Sequence, residues 1–217
     1  MPPTPTCRRV WAVIPAAGFS RRMGRAKLLL ELEGRTVISR LVETLQCGGC
    51  DGVWLLARRD DVALQAAVCD LPVRLLLTDT ATADMRASVE RLLKELARVE
   101  QPRAELDGWL LCPADYPVLR PELVRRLLAR WREFPQSIVV PRCGERRGHP
   151  TIFPWSLETK VMEIPDGQGL NWLLKQPDVS LDQLIIEDPA ILQDLDTPAE
   201  FERLRDQLEE TAGPELI

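Results

Sequence analysis

The sequence predicts an α/β fold built on a mainly parallel sheet. Short apolar runs of strand length at Val10–Ile14, Val53–Ala57, Val73–Leu77 and Trp109–Cys112 alternate with stretches of helical period. The polar stretches that could carry chemistry, at 15–27, 78–88, 113–120 and 141–149, each follow a strand. That is the end at which such sheets bind ligands. No internal repeat or low-complexity linker divides the chain.

Taken in order, Val10–Ile14 is the first buried strand, broken at Pro15. Thr36 to Gln46 carries apolar residues at 37, 38, 41, 42 and 45, which predicts a helix stopped by Gly48 and Gly49. Val53–Ala57 is a strand, Asp60–Val68 a helix, and Val73–Leu77 a strand closed by the polar turn Thr78-Asp79-Thr80. Ala83–Val99 reads as a long amphipathic helix and Trp109–Cys112 as the next strand, ending at Pro113. Pro121 suits the first turn of a helix to about Trp131. Strands are expected at Ile138–Val140, His149–Phe153 and Leu184–Ile186, with helices at Trp155–Met162, Gly169–Lys175 and Pro198–Glu210. The boundaries predict a disordered lead over 1–8, one domain over 9–210 and a tail over 211–217.

Composition removes several function classes. The chain has 217 residues, 45% hydrophobic and 28% charged, as ordinary globular proteins do. No apolar stretch approaches the roughly 20 residues needed to span a bilayer, and MPPTPTCRRV has no apolar signal core. A net charge of −5 makes any basic loop a local feature and disfavours a nucleic-acid-binding surface. The six cysteines are scattered, as expected of free thiols in a reducing cytoplasm. Cys47-Gly-Gly-Cys50 is a CxxC, but no second pair accompanies it, and it falls where a helix ends in glycines.

The stretch VIPAAGFSRRMGRAKLLL, Val13 to Leu30, organises the rest. Ala16, Ala17 and Gly18 permit a tight turn with exposed N–H groups, and Ser20 follows. Arg21, Arg22, Arg25 and Lys27 then add four cations, which together suit a phosphate cradle. Neither GxGxxG nor GxxxxGK[ST] is present. The run AAGFSRRMGRAKLLL is similar to the AAGxSxRMGxxKLLL signature of the nucleotidyltransferases related to molybdenum cofactor synthesis, and looks most like their cytidylyltransferase branch. The resemblance implies a three-layer α/β/α, Rossmann-like nucleotidyltransferase fold with a mostly parallel mixed sheet. It assigns Arg22 and Lys27 to the triphosphate, with Ala16, Ala17, Gly18 and Ser20 in the loop around it. Ala26 stands where a proline often precedes the lysine.

Three more constellations follow. Asp115, between Pro113 and Pro117 just past a buried strand, suits a hard cation or a turn cap equally well. In Asp194-Leu195-Asp196-Thr197-Pro198, Thr197 is a helix N-cap, with two carboxylates preceding it at alternate positions. Arg146-Arg147-Gly148-His149-Pro150 holds the only histidine. These resemble the family's D-x-P, D-I-D-T-P-E-D and R-G-H-P motifs. The resemblance implies Mg²⁺ on Asp115 and Asp196, catalytic roles for Arg22, Lys27 and Asp115, and acceptor contacts at Arg147, Gly148 and His149. Asp84-Met85-Arg86-Ala87-Ser88 is similar to G-M-x-x-S and places Ser88 near the nucleotide, although Gly is lost at 84. The family's G-D-x-G-A-R is scrambled near Asp166, with Asn171 where arginine is usual.

The expected reaction is Mg²⁺-dependent transfer of a nucleoside monophosphate from an NTP to a phosphate-bearing acceptor, releasing pyrophosphate. The resemblance points to molybdopterin cofactor as acceptor and a molybdoenzyme as recipient. The alternatives are guanylyl transfer, a sugar or polyol phosphate acceptor, or a non-catalytic nucleotide- or cofactor-binding protein. Guanine-using relatives resemble LAGGxSxRMG, so Ala17 predicts that CTP is preferred over GTP. Competition between the two nucleotides, for the wild type and for Ala17→Gly, checks this. A wild-type preference for GTP contradicts it.

Overall fold

The computed structural model describes residues 7–18 and 27–212, with side chains to residue 209. The strands are β1 (Val10–Pro15), β2 (Glu31–Leu32), β3 (Arg35–Thr36), β4 (Gly52–Arg58), β5 (Arg74–Thr78), β6 (Gly108–Leu111), β7 (Ser137–Cys143), β8 (Arg146–Arg147), β9 (Thr151–Pro154) and β10 (Ser180–Ile185). The helices are α1 (Val37–Cys47), α2 (Val62–Val68), α3 (Met85–Glu100), α4 (Pro121–Glu133), α5 (Glu158–Met162) and α6 (Pro198–Ala212).

The main sheet runs β10-β7-β9-β6-β1-β4-β5, with β8 folded back on β7. Neighbours are parallel except where β9 lies antiparallel between β6 and β7, and at the β7–β8 hairpin. Both faces are covered, which is why the central strands read as continuous apolar runs. In β1, Val10, Ala12 and Ile14 face the core beneath α1, α2 and α4. Trp11 and Val13 face the second core beneath α3 and α5, where Trp109 stacks on Phe153 at 4.2 Å. Three layers of α/β/α follow from that alternation.

Local chemistry sets the helix ends. Thr36, Asp61 and Asp84 accept the backbone N–H groups of Ser39, Leu64 and Ala87, capping α1, α2 and α3. The C-cap of α1 is Gly48, where a Cβ would lie 2.5 Å from the Val124 side chain on α4. Burial of the nearby Cys50 thiol, with the Asp51 charge, pushes its pKa up to about 12. A thiol held protonated in this way is a poor nucleophile.

Some elements differ from expectation. Leu170–Lys175 is a 3₁₀ helix, because Gly169 and Pro177 leave too few residues for a longer element. The strand expected at Leu184–Ile186 is the longer β10, whose polar edge positions hide it. The strand expected from His149 begins at Thr151 and runs against its neighbours. The β2–β3 hairpin was not expected at all. It joins a small third cluster made of Leu32, Val37, Leu195, Phe201 and Leu204.

Asp107, at the entry to β6, is 1% exposed and accepts from the backbone and side chains of both Arg9 and Arg103. Burial pushes its pKa up, but the Arg103 and Arg9 hydrogen bonds outweigh it and hold the carboxyl down at about 2. The stability it contributes is therefore present above the ordinary carboxylate pKa and lost as pH falls toward about 2. Asp107→Ala is expected to cost about 1–3 kcal/mol, because it unpairs the Arg9 and Arg103 backbone N–H groups while both guanidinium groups stay part-exposed to water. Chemical denaturation at neutral pH checks it.

Candidate active site

The parallel pairing of β1 with β6, in register from Val10↔Gly108 to Val13↔Leu111, delivers the residues after both strands to one edge. Lys27 lies beyond β1 and Asp115 beyond β6. A third segment comes from far along the chain, because Leu195 is 2% exposed in the third cluster. Its N–H donates to the Asp115 carbonyl at 2.9 Å. Thr197 and Glu200 form a reciprocal cap at the start of α6, and Glu200 accepts from the backbone N–H groups of Asp196 and Thr197 at 2.8 Å each. The acceptor oxygens of this segment are thus fixed by backbone contacts.

Lys27 Nζ enters the middle. It donates to Asp115 Oδ2 at 2.6 Å, to the Leu195 carbonyl at 2.8 Å and to Asp196 Oδ1 at 3.2 Å. The Lys27 side chain is only 16% exposed. Burial alone lowers its pKa, but the charges of Asp115 and Asp196 and their hydrogen bonds carry it above the ordinary lysine value. The lysine is a part-buried cation held by three oxygens. Lys27 was expected on a triphosphate; here it spans the two carboxylates expected to hold metal.

That arrangement tests the metal assignment. Among the described residues, no cluster of three or more His, Cys, Asp or Glu side chains forms a cage. Two carboxylates and a carbonyl nevertheless converge on one point already taken by a cation, and hard oxygen donors of this kind suit Mg²⁺ or Mn²⁺ completed by water and phosphate. The donor set fits a divalent ion.

Around this centre the other expected residues are distributed unevenly. Ala16 is held by its N–H to the Leu56 carbonyl at 2.9 Å, at the end of β4. Gly18 is exposed, and among the described residues a Cβ there would meet nothing within 4 Å. Ser20 and Arg22 lie outside the described residues. Ala17 is 0% exposed in the core with Trp11 and Val13. Its methyl therefore cannot form the floor of an open base site, and the steric argument for CTP loses that basis. Ser88 is 2% exposed, its hydroxyl shared with Thr82 at 2.6 Å and with the Asp84 carbonyl at 3.3 Å, so it fixes the start of α3 from within.

The Arg-Gly-His-Pro stretch reaches the same edge because β9 is antiparallel: its start, not its end, lies beside the end of β6. Gly148 is enclosed, and a Cβ there would come 2.2 Å from the Ile191 carbonyl oxygen, so this glycine is required by packing. Arg147 is exposed on β8, while its neighbour Arg146 lines a cavity of about 370 Å³ beside Asp194. His149 lines a second cavity of about 370 Å³ with Leu111, Phe153, Arg86 and Asn171. The Tyr116 ring meets it edge-on at 5.4 Å. Burial drives the His149 pKa down to about 4, against the raising effects of the Leu111 carbonyl and Asp194.

Three contributors carry no sequence signal. Arg58, at the end of β4, donates to the Gly18 carbonyl at 3.2 Å and to Asp60. Arg40 on α1 ties Pro117 and Leu32 together through their carbonyls. The Leu195 carbonyl belongs to an apolar residue. Each is recognisable only once the chain is folded.

The MobA-like NTP transferase domain matches residues 12–181. A Paenarthrobacter nicotinovorans protein named nicotine blue oxidoreductase is 29% identical over 203 residues, spanning 90% of this chain and 96% of that one. A Synechococcus elongatus protein named "probable molybdenum cofactor guanylyltransferase" is 27% identical over 210 residues, spanning 89% and 97%. Among solved structures, Rv0371c from Mycobacterium tuberculosis superposes with a TM-score of 0.76 at 23% identity, over 93% of this chain and 99% of that one. Its manganese complex superposes at 0.71 and 24% identity, over 91% and 98%. A nucleotidyl transferase from Methanothermobacter superposes at 0.76 and 22% identity, over 94% and 99%. At these identities the superpositions show a shared α/β Rossmann-like fold.

His149 is the only histidine, so its titration can be read directly. The ring resonance is expected to titrate near pH 4 in the folded protein. Because its pKa is lowered on folding, stability falls as pH drops from the ordinary value of 6.5 toward 4. A histidine titrating at its ordinary value by NMR would contradict the buried placement.

Proposed function

The chain belongs to the MobA-like NTP transferase domain family and is a nucleotidyltransferase, and from that premise we propose the following reaction. A phosphate oxygen of an acceptor attacks the α-phosphorus of an NTP, the Pα–O bond to the β-phosphate breaks, and pyrophosphate leaves. The observation that carries this reading is the convergence of Asp115, the Leu195 carbonyl and Asp196 on one cation at the edge of the sheet.

Each residue then has a defined task. Asp115 and Asp196 would hold Mg²⁺, which when bound neutralises developing charge on the phosphate oxygens. Gly18, with open space before it, allows the phosphates to approach the backbone. Arg22 and Ser20 extend that cradle by resemblance, and Lys27 contributes a mobile charge. Arg58 steadies the Gly18 carbonyl. An acceptor phosphate is already anionic, so no side chain need act as general base. His149, largely unprotonated at pH 7, would shape the acceptor side rather than carry protons. Positioning and charge neutralisation supply the rate.

The acceptor we propose is molybdopterin cofactor, supported by the motif resemblance and by the name of the Synechococcus relative. The product would pass to a molybdoenzyme in the cytoplasm. CTP is proposed as donor on the Ala16-Ala17-Gly18 tripeptide alone, and the guanylyltransferase name borne by a relative makes GTP its direct competitor.

Pyrophosphate release, screened across NTPs with purified molybdopterin cofactor and with or without Mg²⁺, tests the reading. Asp115→Asn is expected to slow release about 10²-fold or more, as loss of one preorganised electrostatic contact does. Lys27→Ala is expected to remove a charge-assisted phosphate contact worth about 1.5–3 kcal/mol. Wild-type rates for Asp115→Asn at saturating Mg²⁺ would overturn the metal assignment. No pyrophosphate from any NTP would turn attention to the chemistry named for the Paenarthrobacter relative.

A further inference from the structure

Lys27 has two destinations that it cannot occupy together. In the reading above its ammonium serves phosphate, yet in the structure it sits 2.6 Å from Asp115 Oδ2, 2.8 Å from the Leu195 carbonyl and 3.2 Å from Asp196 Oδ1. Those are the oxygens that would surround a divalent ion. We infer that Lys27 is a resident counter-cation that keeps a metal out of the Asp115–Asp196 pair until a triphosphate draws the ammonium away. This rests on the nucleotidyltransferase reading and adds an order of events to it: metal enters with the nucleotide.

The surrounding contacts support exchange rather than collapse. The Leu195 N–H bond to the Asp115 carbonyl and the Glu200 bonds to the Asp196 and Thr197 N–H groups do not involve Lys27. The backbone that carries Asp115, Leu195 and Asp196 is therefore held in place independently of the ammonium. Lysine suits such a role because its charge sits on a flexible four-carbon stem. Lys27 also opens the 3₁₀ helix Lys27–Leu29. A charge there can move from the carboxylates to a phosphate without any strand moving. An ammonium and a divalent cation repel each other, so the two cannot share the pocket.

The test uses Mn²⁺ alone on the full chain without nucleotide, read by the electron-spin signal of free Mn²⁺. Wild type is expected to bind weakly. Lys27→Met, which keeps the length and removes the charge, is expected to bind at least about tenfold tighter, a difference well resolved by titration. Lys27→Arg keeps the cation and should bind as weakly as wild type. Lys27→Met combined with Asp115→Asn should lose the gain, which locates the ion. Adding a non-hydrolysable CTP analogue should tighten Mn²⁺ binding much more in wild type than in Lys27→Met.

Equal nucleotide-free affinity in wild type and Lys27→Met would overturn the inference, as would a gain that survives Asp115→Asn. Should Lys27→Met unfold in metal-free buffer, recovery by Mn²⁺ but not by NaCl of equal ionic strength supports the inference, and no recovery contradicts it. A protein that shows the Lys27→Met gain yet releases no pyrophosphate retains the exclusion and loses the transferase reading.

Discussion

Two carboxylates brought to one point repel each other. At an effective dielectric of about 20, unit charges about 4 Å apart interact by about 4 kcal/mol. Among the described residues, Lys27 is the cation that touches both Asp115 and Asp196 and offsets that repulsion. The surrounding architecture delivers these three groups to one place. Strands β1 and β6 bring in Lys27 and Asp115 in parallel, and the Leu195 cluster anchors Asp196 from the far end of the chain. The lysine therefore has a structural task even where its chemical one is still to come.

The same geometry explains why chemistry collects at one edge. Ligand loops in parallel sheets lie beyond the carboxyl ends of strands, and Gly18, Arg58 and Asp115 obey that rule. His149 reaches the edge by the opposite route, as the start of the one central strand that runs backwards. Antiparallel β9 thus places an aromatic wall, His149 against Tyr116, beside the carboxylates. It also forms one side of the cavity lined by Phe153 and Asn171. A fully parallel sheet of the same sequence would have sent His149 to the other edge.

Much of this was legible in the sequence, for a physical reason. Strands buried on both faces read as unbroken apolar runs, so Val10–Ile14 and Trp109–Cys112 announced themselves. β10 was expected only at its end, Leu184–Ile186, because the adjacent Asp182 and Gln183 interrupt its apolar run. Strand direction leaves no trace in composition, so the reversal of β9 was invisible. Asp115, Asp196 and Lys27 stood out as motif residues. Their contact could not be read, since 88 and 169 positions separate the lysine from its partners. Ala17 shows the opposite failure: its identity was informative, but the side of the backbone its methyl takes is set by packing against Trp11 and Val13.

The central claim is that one cation position, between Asp115 and Asp196, is filled first by Lys27 and then by metal. A crystal structure of the full chain with Mn²⁺ and a non-hydrolysable CTP analogue, phased so that manganese is located by its anomalous signal, tests it most directly. The account predicts a manganese peak between the Asp115 and Asp196 carboxylates, with the Lys27 ammonium moved onto phosphate oxygens. Manganese bound elsewhere, with Lys27 still bridging Asp115 and Asp196 beside the bound nucleotide, would contradict it.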